Sequence, residues 1–128
     1  MLTANTKNTE RRASYRAHLR PGDRVPVTLE TESGQILQGH LCDISAGGLS
    51  AIFDPPAAVL AHAELIPCCM ICFAPDDEVS SALEVRFLYT EAHSGEWRVG
   101  GRFIEMERVQ QNRVERFVAA LDREMRKK

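Results

Sequence analysis

Six short segments of the chain carry apolar residues in the pattern of β-strands, with turn-forming residues between them. In the first, VPVTLET, Val25, Val27 and Leu29 alternate with polar positions, which is typical of a strand with one buried face. Pro26 cannot donate a sheet hydrogen bond, so we expect this strand to start at a sheet edge. The segments recur at a spacing of roughly 10 to 15 residues, which predicts a small antiparallel barrel or sandwich.

The other five predicted strands cover residues 36–44, 49–53, 63–73, 81–90 and 96–105. Segment 63–73 is apolar almost throughout, which predicts that both of its faces are buried. In 81–90 every second residue is apolar, and we expect four side chains to face the core: Leu83, Val85, Phe87 and Tyr89.

Near the C-terminus the apolar period changes to that of a helix. The residues at helical spacing are Val114, Phe117, Val118, Leu121 and Met125. Charged residues occupy the opposite face, so the pattern predicts an amphipathic helix over 107–126. We expect its apolar face to pack on the barrel or on a partner.

Positive charge is concentrated at the N-terminus. Residues 1–24 contain six basic and two acidic residues, a net charge of +4. Because the formal net charge of the whole chain is −2, the remaining residues carry −6. A basic arm on an acidic body can attract a small anion while binding nucleic acid polymers poorly. A solvated tail that keeps the chain soluble is the alternative interpretation of the same charges.

The chain contains no apolar run that approaches the roughly 20 residues of a membrane span. The polar start, MLTANTKNTERR, does not resemble a secretory signal. We therefore expect a cytoplasmic protein without a membrane span.

Cys69 and Cys72 have the C-x-x-C spacing of some zinc and redox sites. On a strand, positions three apart point to opposite faces, so this pair could not share a metal ion. We expect core packing for these cysteines and no metal site. The histidines are scattered and no nucleophile–base pair can be assembled, so we expect no catalytic residues and no enzyme.

The segment DISAGG follows a predicted strand. Asp43 and Ser45 lie two residues apart, which places both side chains on one face of that strand. The glycines after them allow positive φ or a close approach of another backbone, although a plain tight turn would look the same. An Asp carboxylate can accept hydrogen bonds from a guanine edge, and an Arg guanidinium matches phosphate or guanine. With Arg12 and Arg16 beside it, the segment would suit an anionic guanine nucleotide.

These two motifs together resemble the signature of the PilZ domain, the bacterial receptor module for cyclic di-GMP. Its R-x-x-x-R motif matches Arg12 to Arg16, and its (D/N)-x-S-x-x-G motif matches Asp43 to Gly48. The late strand VGGRF is also common in that family. The resemblance is strongest to the PilZ half of flagellar brake proteins, which place another domain ahead of it.

The resemblance implies a mainly β fold, a six-stranded antiparallel barrel with a C-terminal α-helix. On this basis we divide the chain into a flexible lead, 1–10, and a PilZ domain, 11–128. The domain comprises an arm, 11–24, a barrel, 25–105, and the helix. Only about ten residues precede it, so we expect that the other half of a flagellar brake protein is missing here or was never present.

The resemblance also assigns roles to individual residues. Arg12 and Arg16 would hold the phosphates and guanine of cyclic di-GMP, and Asp43 and Ser45 would read a guanine edge. Gly47 and Gly48 would keep the turn open. An arginine at the position of Arg11 accompanies two intercalated ligand molecules in this family. The ligand is cyclic di-GMP, and no separate cofactor is implied.

We therefore expect a cyclic di-GMP receptor that closes its arginine arm over the ligand. It would signal, as a monomer or weak homodimer, to an unidentified effector protein in motility, biofilm or exopolysaccharide control. The alternative is a PilZ-like adaptor that binds a protein and ignores nucleotide. A nucleic-acid binder is disfavoured, because aromatic residues make up 6% of the chain and its body is acidic.

Overall fold

A computed structural model describes residues 16–20, 22–53 and 60–126. Its elements in chain order are β1 (Ala17–His18), β2 (Pro26–Glu30), β3 (Ile36–Ser45), β4 (Gly48–Phe53), β5 (Leu65–Ala74), β6 (Asp77–Thr90), β7 (Trp97–Ile104) and α1 (Arg108–Arg126). The lead, 1–10, and the first residues of the arm, including Arg11 and Arg12, lie outside the described residues.

Six of the strands close into an antiparallel barrel in the order β3-β2-β5-β6-β7-β4, because β4 also pairs with β3. This confirms the six-stranded barrel. The expectation that the first strand starts at a sheet edge is wrong, since β2 pairs with β3 on one side and β5 on the other. Pro26 is tolerated because it is the first residue of β2, ahead of the Val27–Ile71 pair that begins the β5 ladder.

The core is formed by alternate residues of the barrel strands. Val27, Leu29 and Leu83 are among its fully buried side chains. The prediction that segment 63–73 is buried on both faces is wrong, because Leu65 and Met70 of β5 are exposed. The outward positions of that strand stay at the surface, and only alternate side chains such as Ile66 contribute to the core.

A bulge in β6 changes which of its side chains face inward. Leu83 and Val85 are fully buried, as predicted, but the pairing with β7 shifts by one residue between Val85 and Phe87. Beyond the bulge Leu88 packs against the core, and Tyr89 points outward with 47% of its surface exposed. The predicted inward positions of Phe87 and Tyr89 are therefore wrong, since an extra residue reverses the alternation.

Helix α1 packs its apolar face on the barrel, which confirms the amphipathic helix. Val114 and Leu121 are buried in the core cluster. The ring of Phe117 stacks on Phe73 of β5 with a centroid separation of 4.2 Å. The side chain of Met125, the last predicted inward position, lies outside the described residues.

The two-residue strand β1 was not anticipated from the sequence. Ala17 pairs with Ile44, and His18 pairs with Asp43 near the end of β3. A backbone hydrogen bond from Leu19 to the Cys42 carbonyl continues this contact. The pairing brings the end of the arginine motif beside the D-x-S motif.

Candidate functional site

A second bulge turns Asp43 to the outer face of the barrel. The pairing of β3 with β4 shifts between Leu41 and Asp43. Leu41 and Ile44 both face the core, whereas Asp43 stands opposite Ser50 on the outer side. Asp43 is nevertheless only 4% exposed, because side chains from three other strands or segments cover it.

The two carboxylate oxygens of Asp43 are held by different parts of the molecule. Arg16 donates from Nη1 to Oδ1 at 2.8 Å. On the other oxygen, Oδ2, Ser50 donates from Oγ at 2.8 Å and Arg98 from Nη2 at 3.1 Å. Arg98 also donates to Ser50 Oγ at 3.2 Å, so Ser50 and Arg98 form one unit with Oδ2. The hydrogen bonds to Oδ2 thus come from the barrel and the hydrogen bond to Oδ1 comes from the arm, while His18 Nδ1 of the arm lies 4.0 Å from Oδ2.

A buried carboxylate is costly unless charged or polar donors compensate for lost water. Asp43 has three such donors, of which the buried Ser50 hydroxyl has no access to solvent. The Arg16 side chain is 48% exposed and reaches Asp43 from the position just before the two-residue strand β1. Of these donors Arg16 is therefore the one most readily exchanged for another.

Ser45 and the glycines after it form the turn between β3 and β4. Ser45 donates weakly to the Gly48 carbonyl at 3.4 Å and accepts from the Gly47 amide at 3.3 Å. From α1, Gln111 donates to the Ala46 carbonyl at 2.9 Å, which ties the helix to this turn. The Ser45 hydroxyl thus serves the turn in this structure, while Asp43 faces the arm.

Gly48 is required because of a close backbone approach. A Cβ at this position would collide with the Gly101 carbonyl of β7. This confirms the close approach expected for the DISAGG segment. The turn does not use the positive φ that its glycines allow, since among the described glycines only Gly34 and Gly95 have positive φ.

Ser50 and Arg98 were missed in the sequence analysis. Arg98 lies on the outer side of β7, one position before the core residue Val99. Its opposite neighbour on β4 is Ile52, which places it diagonally beside Ser50. Alternation in EWRVGG could have indicated an outward Arg98, but only the register across three strands shows that it reaches Asp43.

Arg98 remains charged in this setting. Burial lowers its pKa, but the nearby Cys42, Tyr89 and Asp43 outweigh this effect and raise the pKa above its ordinary value. Burial is also the main reason that the pKa of the Cys42 thiol is raised, although Arg98 opposes it. Cys42 is therefore a protonated thiol at neutral pH.

Asp43 and its three donors, Arg16, Ser50 and Arg98, form the Asp43 cluster. An open cleft of about 390 Å³ borders this cluster. Its lining residues include three arginines, Arg20, Arg24 and Arg98, against the two acids Asp23 and Glu96, together with two histidines. The cleft therefore has an excess of cationic groups, which suits an anionic ligand.

Among the described side chains, no three His, Cys, Asp or Glu residues lie close enough to hold a metal ion. Cys69 is buried in the core, while Cys72, three residues later, is half-buried on the other face of β5. Burial raises the pKa of Cys69 to about 12, so its thiol is unreactive. Within the same part of the chain, no helix has the length and hydrophobicity needed to cross a membrane.

Comparison with known proteins extends the match beyond the two motifs. The family model described as "PilZ domain" matches residues 10–120. Flagellar brake protein YcgR of Thioalkalivibrio sulfidiphilus is 24% identical over 119 residues, which are 93% of this chain and 47% of that protein. The chain therefore spans about half the length of this relative.

Solved structures share the fold. The PilZ domain of Escherichia coli YcgR with cyclic di-GMP has a TM-score of 0.73 at 16% identity, covering 88% of this chain and 92% of that one. The K. pneumonia MrkH complex with cyclic di-GMP has a TM-score of 0.78 at 22% identity. That match covers 89% of this chain and 54% of MrkH.

Proposed function

The chain belongs to the PilZ domain family, and from this premise we propose that it is a receptor domain for cyclic di-GMP. Two structural neighbours, YcgR and MrkH, are described in complex with that ligand. The binding site is the Asp43 cluster with the arginine arm, and the domain is the unit 11–128 that follows a lead of 1–10. It is not an enzyme and acts in the cytoplasm.

The observation that carries this proposal is that the two oxygens of the Asp43 carboxylate accept hydrogen bonds from different parts of the molecule. Ser50 and Arg98 fix Oδ2, which orients the side chain, while Oδ1 is held only by the exposed Arg16 among the contacts described. The N–H groups on the edge of a guanine base are donors, as the guanidinium of Arg16 is. Guanine therefore takes the place of Arg16 at Oδ1 without disturbing the barrel.

Release from Asp43 leaves Arg16 free to bind the ligand. Its guanidinium then pairs with a phosphate or with the acceptor edge of guanine. Arg12, the first arginine of the R-x-x-x-R motif, binds in the same way. Arg11 supports a second, intercalated ligand molecule. Gly47, Gly48 and Ser45 preserve the turn that places Asp43. The cationic cleft beside the cluster attracts the dianion.

The energetics favour several contacts made together. Ordering the six residues from Arg11 to Arg16 costs roughly 1–2 kcal/mol each. Micromolar affinity requires about 8 kcal/mol net, and charge-assisted hydrogen bonds contribute about 1.5–3 kcal/mol each. Base stacking adds about 1–3 kcal/mol per base. One arginine cannot offset the ordering cost, whereas three arginines, Asp43 and two stacked ligands can.

Movement of the arm is the signal to an effector protein in motility, biofilm or exopolysaccharide control. Arg20, which follows β1, pairs with Glu124 of α1 at 3.1 Å. A change at Arg16 is therefore connected to the helix surface through only four residues of chain. The protein acts as a monomer or weak homodimer, and the effector binds where the arm and α1 meet.

Calorimetric titration of the full chain with cyclic di-GMP tests the proposal, with GTP and cyclic di-AMP as controls. We expect selective micromolar or tighter binding with two ligand molecules per chain. One molecule per chain would remove the role of Arg11 in intercalation but keep the receptor. No heat from a folded protein, confirmed by a direct fluorescence or dialysis assay, would overturn the proposal in favour of a protein-binding adaptor.

A further inference from the structure

The hairpin turn between β3 and β4 has an unusual backbone geometry for its length. Its loop has two residues, Ala46 and Gly47, between Ser45 of β3 and Gly48 of β4. Two-residue hairpin loops favour type I′ and II′ turns, which need positive φ at one or both loop residues and match the twist of the strands. Neither Ala46 nor Gly47 has positive φ. This turn therefore depends on support from other parts of the molecule.

Two other elements hold the carbonyl groups of the loop. From β7, the Phe103 amide donates to the Gly47 carbonyl at 2.9 Å. From α1, Gln111 donates from Nε2 to the Ala46 carbonyl, also at 2.9 Å. The contact with β7 is made by backbone atoms, whereas the contact with α1 depends on a single side chain.

The Ser45 hydroxyl adds only long hydrogen bonds to the same turn. It donates to the Gly48 carbonyl at 3.4 Å and accepts from the Gly47 amide at 3.3 Å. Both distances exceed the usual upper limits of about 3.0 Å for a hydroxyl donor and about 3.2 Å for an amide donor. The turn is therefore held more firmly by Phe103 and Gln111 than by its own serine.

Gln111 is itself fixed by the packing of its helix. Val114, one turn further along α1, is fully buried in the core. Gln110 accepts a hydrogen bond from the Ser80 amide of β6 at 3.1 Å, which attaches the start of α1 to the barrel. The Gln111 amide group also donates to Glu115 at 3.3 Å, which restricts its orientation. The donor for Ala46 is thus presented from a rigid element.

We propose that Gln111 is a positioning residue for the ligand site, which holds the turn through Ala46 and so releases the Ser45 hydroxyl to bind cyclic di-GMP. This inference rests on the proposed function. Ser45 lies on the same outer face of β3 as Asp43, because the residue between them, Ile44, is buried in the core. A serine hydroxyl can donate or accept a hydrogen bond, so it can exchange its long contacts in the turn for a contact with the ligand.

Gln111→Ala tests this role in a calorimetric titration with cyclic di-GMP. Without the contact to Ala46, the Ser45 hydroxyl stays with the turn, so binding should be about fivefold weaker, within the range for loss of one hydrogen bond. Gln110→Ala is the matched control, because Gln110 is the same residue type on the same helix and contacts β6 instead of the turn. It should bind as wild type does.

A double variant with Ser45→Ala separates positioning from a general loosening of the fold. Ser45→Ala alone should also weaken binding about fivefold, since it removes the same ligand contact. The double variant with Gln111→Ala should again be about fivefold weaker than wild type, because that contact can be lost only once. A loss of about 25-fold, the product of two independent effects, would overturn the action of Gln111 through Ser45.

Thermal unfolding without ligand should show the opposite coupling. Gln111→Ala should lower the unfolding midpoint by about 4 °C, and Ser45→Ala by less because its hydrogen bonds are longer. The double variant should lose more than the sum, since the turn then keeps neither side chain. The same pair built with Gln110→Ala should be additive. An additive loss with Gln111→Ala would mean that the two side chains do not support one turn, which would overturn the inference.

Failure of this inference differs from failure of the receptor proposal. If wild type binds cyclic di-GMP and Gln111→Ala binds equally well, Gln111 is not a positioning residue, and the receptor proposal stands. If folded wild type binds no cyclic di-GMP in the same titration, both proposals fail.

Discussion

The barrel holds its N-terminal strand and its C-terminal helix by different means. Strand β1 is attached by two residue pairs, by the buried side chain of Ala17 and by the ion pair of the preceding residue, Arg16, with Asp43. Helix α1 is attached by buried apolar side chains such as Val114 and by the stack of Phe117 on Phe73. The first attachment includes a charged contact that lies partly in solvent, whereas these contacts of α1 are apolar and exclude water.

This difference separates a replaceable contact from a permanent one. The Arg16 side of the ion pair is half exposed, and Asp43 keeps Ser50 and Arg98 as donors, so another donor can displace Arg16 at small cost. Burial of apolar surface contributes about 25 cal/mol per Å² and no ligand can substitute for it. We infer that the arm is the element that responds to ligand and that α1 is the fixed surface against which it moves.

The largest effect is expected from a charge placed in the helix attachment. Val114→Asp buries an unpaired carboxylate, which should lower the free energy of unfolding by about 4 kcal/mol in a denaturant titration. Val109→Asp, on the exposed side of the same helix, should change it by less than about 0.5 kcal/mol. Equal stabilities of the two variants would show that α1 is not held by apolar burial.

A smaller loss of unfolding free energy is expected when Asp43, which accepts the hydrogen bond from Arg16, is replaced. Asp43→Ala leaves the buried Ser50 hydroxyl and Arg98 without their acceptor, which should cost about 2 kcal/mol of unfolding free energy. Asp43→Asn keeps an acceptor for Ser50 and should retain part of that stability. An Asp43→Ala variant as stable as wild type would mean that the cluster contributes nothing to the fold.

Alkaline pH tests the burial of the core cluster that contains both Cys69 and Val114 of α1. The pKa of Cys69 is raised by burial from 9.0 to about 12, so its stabilising effect is complete below pH 9 and is lost as pH rises towards 12. The expected loss is about 1.4 kcal/mol per pH unit in that window. Cys69→Ala should abolish this component of the pH dependence, whereas Cys72→Ala should keep it. An unchanged profile in Cys69→Ala would contradict the buried thiol.

The smallest effect is expected at the link between arm and helix. Arg20→Ala removes an exposed ion pair with Glu124 and should lower the unfolding free energy by about 0.5 kcal/mol at low salt. The difference should disappear at about 1 M salt, where charges beyond roughly 3 Å are screened. A loss that persists at high salt would show that Arg20 holds the arm by packing instead.

Most of the fold could be predicted because alternation and helical period report directly on burial. The inward positions of β2 and the apolar face of α1 follow these periods. The outer face of β6 could not be predicted, since a bulge adds one residue and reverses every later side chain. No local pattern marks where such a residue is inserted.

The candidate site was predictable only in its motif residues. Asp43 and Arg16 belong to motifs that can be found by spacing, and the structure brings them into contact. Ser50 and Arg98 come from two other strands, and their contact with Asp43 depends on barrel closure and on the register of three strands. Sequence separation of up to 55 residues hides that relation.

The most direct test of the exchange at Asp43 compares stability and ligand affinity in one variant, Arg16→Ala. We expect less than about 1 kcal/mol of lost unfolding free energy, because the pair is half exposed, but more than about 100-fold weaker binding of cyclic di-GMP. Arg86→Ala removes an arginine outside the cluster that is 57% exposed, against 48% for Arg16, and should change neither quantity appreciably. Unchanged affinity in Arg16→Ala, with wild type binding, would contradict the exchange of Arg16 for guanine.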